Sequence, residues 1–466
     1  MNEIGVSRNI SRRVTSTSTR LIAGMGAFGL GLTAPFAAVN AQDAAQDGGV
    51  IFELTASQTV RASDNLDLDD PAVSGVRSIT GIDGSLSSIT REQSFVLGFS
   101  VGAELDDDGF ELGNTGVDLT YMRMGESGQL TLDARYFQRQ IRSEFQGDDL
   151  ETLITSGTQT DYGYGAAVTL GSNRPLTLDL SARQDFREFD TTDPDAVNSR
   201  TTRLSAEAAA RIDGATDGRV TLSFTEREED DAANEVEATS RAGVGITRRL
   251  GNGSSVSADV NWSRVAVTET AIVRTTTVTT GVGGRLAFDQ DLPNGRFNAS
   301  LSREISENGP IDELRVGRAI DFPASSLFLE AGLTMTDGDN LSPLVGLTFE
   351  RQLPDGALNI SVSQTAGVNG DDENVISTEG AASLRRSIND ISSWTASVGV
   401  RNDATTGAGG TTTRRIDGSL TYSRELTRMA DLRAGYEYAL VSETGAADRS
   451  SNTIFVTVST SLTARP

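Results

Sequence analysis

From about residue 50 onward the chain alternates apolar and polar residues in runs of about ten, each run closed by a turn. In LTLDLSARQDF, Leu176, Leu178, Leu180, Ala182 and Phe186 take one parity, and Thr177, Asp179, Ser181, Arg183 and Asp185 the other. A period of two is that of a β-strand with one greasy and one wet face. The same alternation carries Phe95, Leu97, Phe99 and Val101, then Val256, Ala258, Val260 and Trp262, then Trp394, Ala396, Val398 and Val400. The pattern predicts about 22 strands, with 20 as the alternative, and its poorest strand is Val76–Ser87. Helical periodicity is absent from this region, so the fold class is all-β.

The first 41 residues read as an export signal to be cleaved, and they stand outside fold reasoning. Arg8, Arg12, Arg13 and Arg20 form a basic region, the run Leu21–Val39 is apolar, and Val39-Asn40-Ala41 offers a cleavage site. The alternative is a membrane anchor, since the run nears the length of a spanning helix, but its glycines and proline favour cleavage. Residues 42–49 then form a short periplasmic segment and 50–466 the folded domain.

Removing the leader takes four arginines and Glu3 from 40 basic and 65 acidic side chains, leaving 36 and 64 and a net charge of −28. That balance argues against nucleic acid as a partner. The chain has no cysteine, no histidine and, all 40 basic residues being arginine, no lysine. A thiol nucleophile, a serine triad with an imidazole base, an ordinary zinc site and a lysine Schiff base are therefore all excluded. Carboxylates are spread throughout and mark no catalytic pair. The chain reads as a non-enzyme with no cofactor, metal or catalytic residue.

No second apolar run reaches the length of a membrane helix, so any spanning falls to strands. Many alternating strands behind an export signal predict an antiparallel up-and-down transmembrane β-barrel of the bacterial outer membrane. Short links (Gly171–Arg174, Gly251–Gly253, Pro354–Gly356, Ser387–Asp390) should be periplasmic turns. Longer acidic links should face outward: Gln146–Thr160, Asp190–Ser199, Glu228–Asn234, Val368–Glu373 and Asp403–Gly410. Gln146–Thr160 is the candidate for a loop that narrows the pore. Tyr121, Tyr136, Tyr162, Trp262, Trp394 and Tyr436 fit interfacial girdles.

The polar parities carry charges of both signs within the spans: Asp133, Arg135 and Arg139; Asp179 and Arg183; Arg203, Glu207 and Arg211; Arg433 and Glu437. A charge against lipid costs about 2–4 kcal/mol near mid-membrane, so these ten residues should line a wet lumen. One reading is a salt-bridge ladder that keeps the interior open. The other is anion binding, since a guanidinium pairs bidentately with carboxylate or phosphate. Acidic clusters such as Asp106-Asp107-Asp108, Asp148-Asp149, Glu228–Asp231 and Asp371-Asp372-Glu373 match no calcium-loop spacing and read as solvated loops.

With its leader, its repeated hairpins and VRASDNLDL at Val60–Leu68, whose Asp-Asn follows the first strand, the chain resembles uncharacterised outer-membrane β-barrel proteins of Gram-negative bacteria, in particular their porin group. The resemblance covers nearly the whole mature chain and implies a porin-like channel; some members of the group accompany exopolysaccharide export. The C-terminus, Leu462-Thr-Ala-Arg-Pro466, departs from the terminal aromatic usual in outer-membrane barrels. The first strand begins within ten residues of the cleavage site, which leaves no room for a plug domain. The expected function is diffusion or export of a polar or anionic solute such as an anionic polysaccharide. The expected surroundings are outer-membrane lipid, lipopolysaccharide and the barrel-assembly machinery. The alternatives are a structural or surface-interaction barrel without transport, and a secreted soluble β-rich adhesin.

Overall fold

In a computed structural model, the described residues are 49–465, except 69–70, 107–108, 146–152, 193–195, 231–233, 271–273, 337–339, 369–373 and 406–409. The leader lies outside them. The strands are β1 (Gly49–Ser63), β2 (Gly75–Ile89), β3 (Gln93–Asp106), β4 (Gly109–Met124), β5 (Gly128–Phe145), β6 (Leu153–Leu170), β7 (Leu176–Asp190) and β8 (Asn198–Arg211). Next come β9 (Thr216–Asp230), β10 (Val236–Arg249), β11 (Ser254–Glu269), β12 (Thr275–Leu292), β13 (Gly295–Ser306), β14 (Gly309–Phe322) and β15 (Ser325–Thr336). The wall is completed by β16 (Asn340–Leu353), β17 (Gly356–Val368), β18 (Asn374–Asn389), β19 (Ser392–Thr405), β20 (Thr412–Thr427), β21 (Ala430–Glu443) and β22 (Arg449–Ala464).

Each strand pairs antiparallel with its sequence neighbours, and β1 pairs with β22 from Phe52↔Ala464 to Ser63↔Thr453. The result is a closed 22-stranded antiparallel barrel with no free edge. The weak run at Val76–Ser87 is a full strand, β2, bonded along its length to β1.

Strand ends differ from the sequence reading. Leu153–Thr160, read as part of a long loop, is the start of β6, while 146–152 lie outside the described residues. Glu228–Asp230 likewise belongs to β9 and Asp403–Thr405 to β19. Beyond the bilayer both faces of a strand meet water, so the ladder continues after the alternation has stopped.

Both chain ends of the barrel fall on one rim. On that rim the turns are two to five residues, for instance Pro293-Asn294 before Gly295, whose φ of +128° suits glycine. Opposite connectors run from two residues (107–108 and Glu307-Asn308) to eleven (64–74). Ladders are not equally long. Between β16 and β17 pairing ends at Gly346↔Ser363, although β16 runs on to Asn340 with β15 and β17 to Val368 with β18. The wall forks there.

Candidate functional site

Which parity faces inward follows from reach. Arg61 of β1 bonds Glu437 of β21 across β22. Arg135 and Arg183 cross β6 to reach Asp185 and Asp133, and Arg219 crosses β10 to reach Asp259. Arg241 of β10 reaches Glu304 of β13. Side chains converge like this only on the concave side of a closed sheet. The opposite parity carries exposed Leu176, Leu180, Leu222, Val244, Val260, Leu286, Leu329, Val398 and Val458, an apolar exterior fit for lipid.

All ten charges singled out in the sequence take the inward parity. The register gathers four of them, Asp133, Arg135, Arg183 and Arg203, around Asp185. Arg183 places its Nε 2.9 Å from both Asp185 oxygens and its Nη1 2.6 Å from Asp133. Arg135 donates to Asp185 Oδ1 at 3.0 Å and Arg203 to Oδ2 at 2.9 Å. One carboxylate thus serves three guanidiniums drawn from β5, β7 and β8.

The strand between makes this reach feasible. On β6, Tyr162 and Tyr164 point outward, while Gly163 and Gly165 leave the inward face bare. A Cβ on Gly163 would lie 2.6 Å from Asp185 Oδ1, and one on Gly165 would lie 2.6 Å from Asp133 Oδ1. Both carboxylates therefore rest on glycine.

The other six stand apart. Arg139 donates to Gln159 at 2.9 Å. Asp179 accepts from Thr169 at 2.5 Å and faces Glu207 directly across the β7–β8 ladder. Arg211 is 3.8 Å from Asp217. Glu437 holds Arg61 at the seam, and Arg433 lies opposite Ser423 and Thr457.

Sequence reasoning placed Asp185 on the wet face but did not single it out, because its partners come from three strands. It also missed Arg187–Asp161 at 3.1 Å, and the half-buried Arg315 shared by Glu313 and Glu330. Buried Arg77 was missed as well, with Asp67 at 2.9 Å and Glu104 and Asp106 at 3.6 and 3.5 Å. Their parity was legible; their grouping required the register.

Elsewhere the inner wall is largely hydroxylic. Ser361, Ser383, Ser397, Ser419, Thr421 and Ser459 face inward on β17–β20 and β22, with Ser397 and Ser419 bonded at 2.7 Å. Among residues whose side chains are described, the inward aromatics are Phe137, Phe189, Phe328 and Phe455, no two on neighbouring strands. The girdle candidates Tyr121, Tyr136, Tyr162, Trp262, Trp394 and Tyr436 all take the outward parity, and Tyr162 stacks on Phe186 at 4.6 Å. No group of three or more acidic residues fit to hold a metal occurs among the described residues.

The Asp64-Asn65 pair of VRASDNLDL sits where the barrel closes. Asp64 accepts from the Asn452 backbone N–H and side-chain amide, both at 2.7 Å, and Asn65 is buried beside Ser63. Those two bonds hold the Asp64 carboxyl below the usual carboxylate range.

No protein-family model matches the chain, and no curated protein matches it in sequence. Solved structures do match in shape. The FrpB iron transporter from Neisseria meningitidis (F5-1 variant) aligns with TM-score 0.62 at 10% identity, over 91% of this chain and 84% of that one. The siderophore receptor PirA from Acinetobacter baumannii gives 0.58 at 9% identity, over 88% and 80%. A variant of the ferric enterobactin receptor PfeA from Pseudomonas aeruginosa gives 0.55 at 9% identity, over 88% and 80%. At such identities the likeness is one of fold: this chain is a closed 22-strand outer-membrane β-barrel, the shape it shares with those proteins.

Proposed function

We propose that the protein is a porin-like channel through which polar or anionic solutes, such as acidic polysaccharide, cross the outer membrane without an energy-coupled plug. The observation that carries this reading is the inner wall: hydroxyls and charges, most of the charges in pairs, with no row of aromatic faces among the described side chains for an apolar cargo to stick to. A wall with few adhesive surfaces favours passage over retention. The described residues form strands and short connecting segments between them, which supports a lumen free of any plug formed from those residues. On this reading, lipid and lipopolysaccharide surround the outer face, and the barrel-assembly machinery inserts the chain.

The test has two stages. Folded barrel in detergent should migrate differently before and after boiling, and should then give steady single-channel conductance in a planar bilayer. A folded barrel that never conducts would overturn the open-channel reading and leave either a structural or surface-interaction barrel or a gated pore. A second reading, gated uptake, draws on the fold shared with the iron and siderophore transporters. It predicts a closed pore that opens only with an energy-coupling partner.

A further inference from the structure

We infer that the cluster on β5–β8 is a luminal binding site for the oxyanion of a solute, a carboxylate or a sulfate, held between Arg135 and Arg203. The inference deepens the channel reading and rests on it only for how the solute arrives.

Charge supplies the first argument. Above the Asp179–Glu207 pair, around the cluster, the inward side chains of β5–β8 include Arg135, Arg183, Arg187 and Arg203, against Asp133, Asp161 and Asp185. These seven carry one more positive charge than negative, in a chain whose net charge is −25. Arg183 and Arg203 are direct cross-strand partners. Like charges in that position repel, and Asp185, already shared three ways, cannot neutralise them fully.

The second argument is where the donors point. Each guanidinium has five N–H groups. Arg135 and Arg203 each give one to Asp185, and their side chains are 54% and 55% exposed. Asp185 is 16% exposed, lying low over Gly163. The glycine floor lets Asp185 sink to the wall while Arg135 and Arg203 stand clear of it; Asp133, 34% exposed, is held to the side by Arg183. Between Arg135 and Arg203 a solute therefore meets two guanidinium forks before it meets Asp185, in the planar geometry that suits an oxyanion. Hydroxyls rather than acids form the next step down, Ser181 and Ser205, bonded at 2.6 Å. The opposed carboxylates Asp179 and Glu207 lie one step below that and repel a bound anion from drifting further.

The experiment uses full-length folded barrel in detergent, with equilibrium dialysis of radiolabelled sulfate and, separately, galacturonate, at constant ionic strength. Saturable binding of at least one probe is expected. Arg135→Gln with Arg203→Gln should weaken it at least tenfold, while Arg433→Gln on β21, outside the cluster, should leave it unchanged. Asp185→Asn, which removes the competing carboxylate, should tighten binding, an outcome that a purely structural role for the cluster does not give. Heat-modifiable migration confirms that each variant is folded. Sulfate without galacturonate points to a sulfated solute, galacturonate without sulfate to a uronate, and both to a general oxyanion site. No saturable binding to the parent barrel, or equal binding by the double variant, would overturn the inference. Binding without conductance would sink the channel reading and leave the site; conductance without binding would do the reverse.

Discussion

Gly163 and Gly165 matter for what they lack. Because Asp185 and Asp133 rest on them, a side chain at either position must push a carboxylate off the wall and loosen the arginines it holds. Gly165→Val should destabilise the barrel by about 1–3 kcal/mol through overpacking, read from the midpoint of the heat-modifiable transition. Gly399, inward on β19 with nothing within 4 Å of a Cβ, supplies the contrast: Gly399→Ala should be neutral or slightly stabilising. Equal effects at the two sites would mean that the glycine floor supports nothing. At this scale the sequence told which side of the wall a residue faces, because parity is local. Asp185 shows what it withheld: its three arginines sit on β5, β7 and β8, and only the register joins them.

Single strands make the lipid and lumen faces separately testable. Val398 and Ser397 are neighbours on β19, the first outward and exposed, the second inward against Ser419. Val398→Arg should cost about 2–4 kcal/mol in bilayer or detergent refolding, while the inward Ser397→Arg should stay within about 0.5 kcal/mol of the parent. Strand ends were the least legible part of the sequence. Leu153–Thr160 carries no apolar alternation, yet its backbone pairs with β5 along the described ladder. The fork between β16 and β17 was invisible for another reason, since pairing length is not written in alternation. Hydrogen exchange should find Gln364–Val368 less protected than Gly356–Ser363, although both lie on one strand. Equal protection would mean that the fork is closed in solution.

In the whole molecule, an even strand number returns the chain to the rim from which it started, and β22 completes the wall against β1. Asp64 clasps that join from the connector beyond β1. Its lowered pKa sets the sign of the pH effect. The contribution is complete above the unfolded value of about 3.9 and disappears as pH falls through the lower folded value. Asp64→Asn should therefore lower the unfolding midpoint near neutral pH, and the gap from the parent should shrink once the pH drops below about 4. A gap independent of pH would show that the carboxylate charge plays no part. The closed, apolar-skinned barrel was legible in a period of two; the clasp was legible only as a short motif without a role.

That closure has a consequence for how the molecule is made. Twenty-one of the pairings join strands adjacent in sequence, so each hairpin can form against the one before it with little loop entropy to overcome. The pairing of Phe52 with Ala464 is different, because nearly the whole barrel must be in place before the two ends meet. Contact order is thus low everywhere but at one join, and the slowest step of folding should be the meeting of β1 with β22. Until then two edge strands stand unpaired and open to the wrong partner. Arg61, Asp64, Glu437 and Asn452 then act less as ornaments of the finished wall than as the catch that ends its assembly.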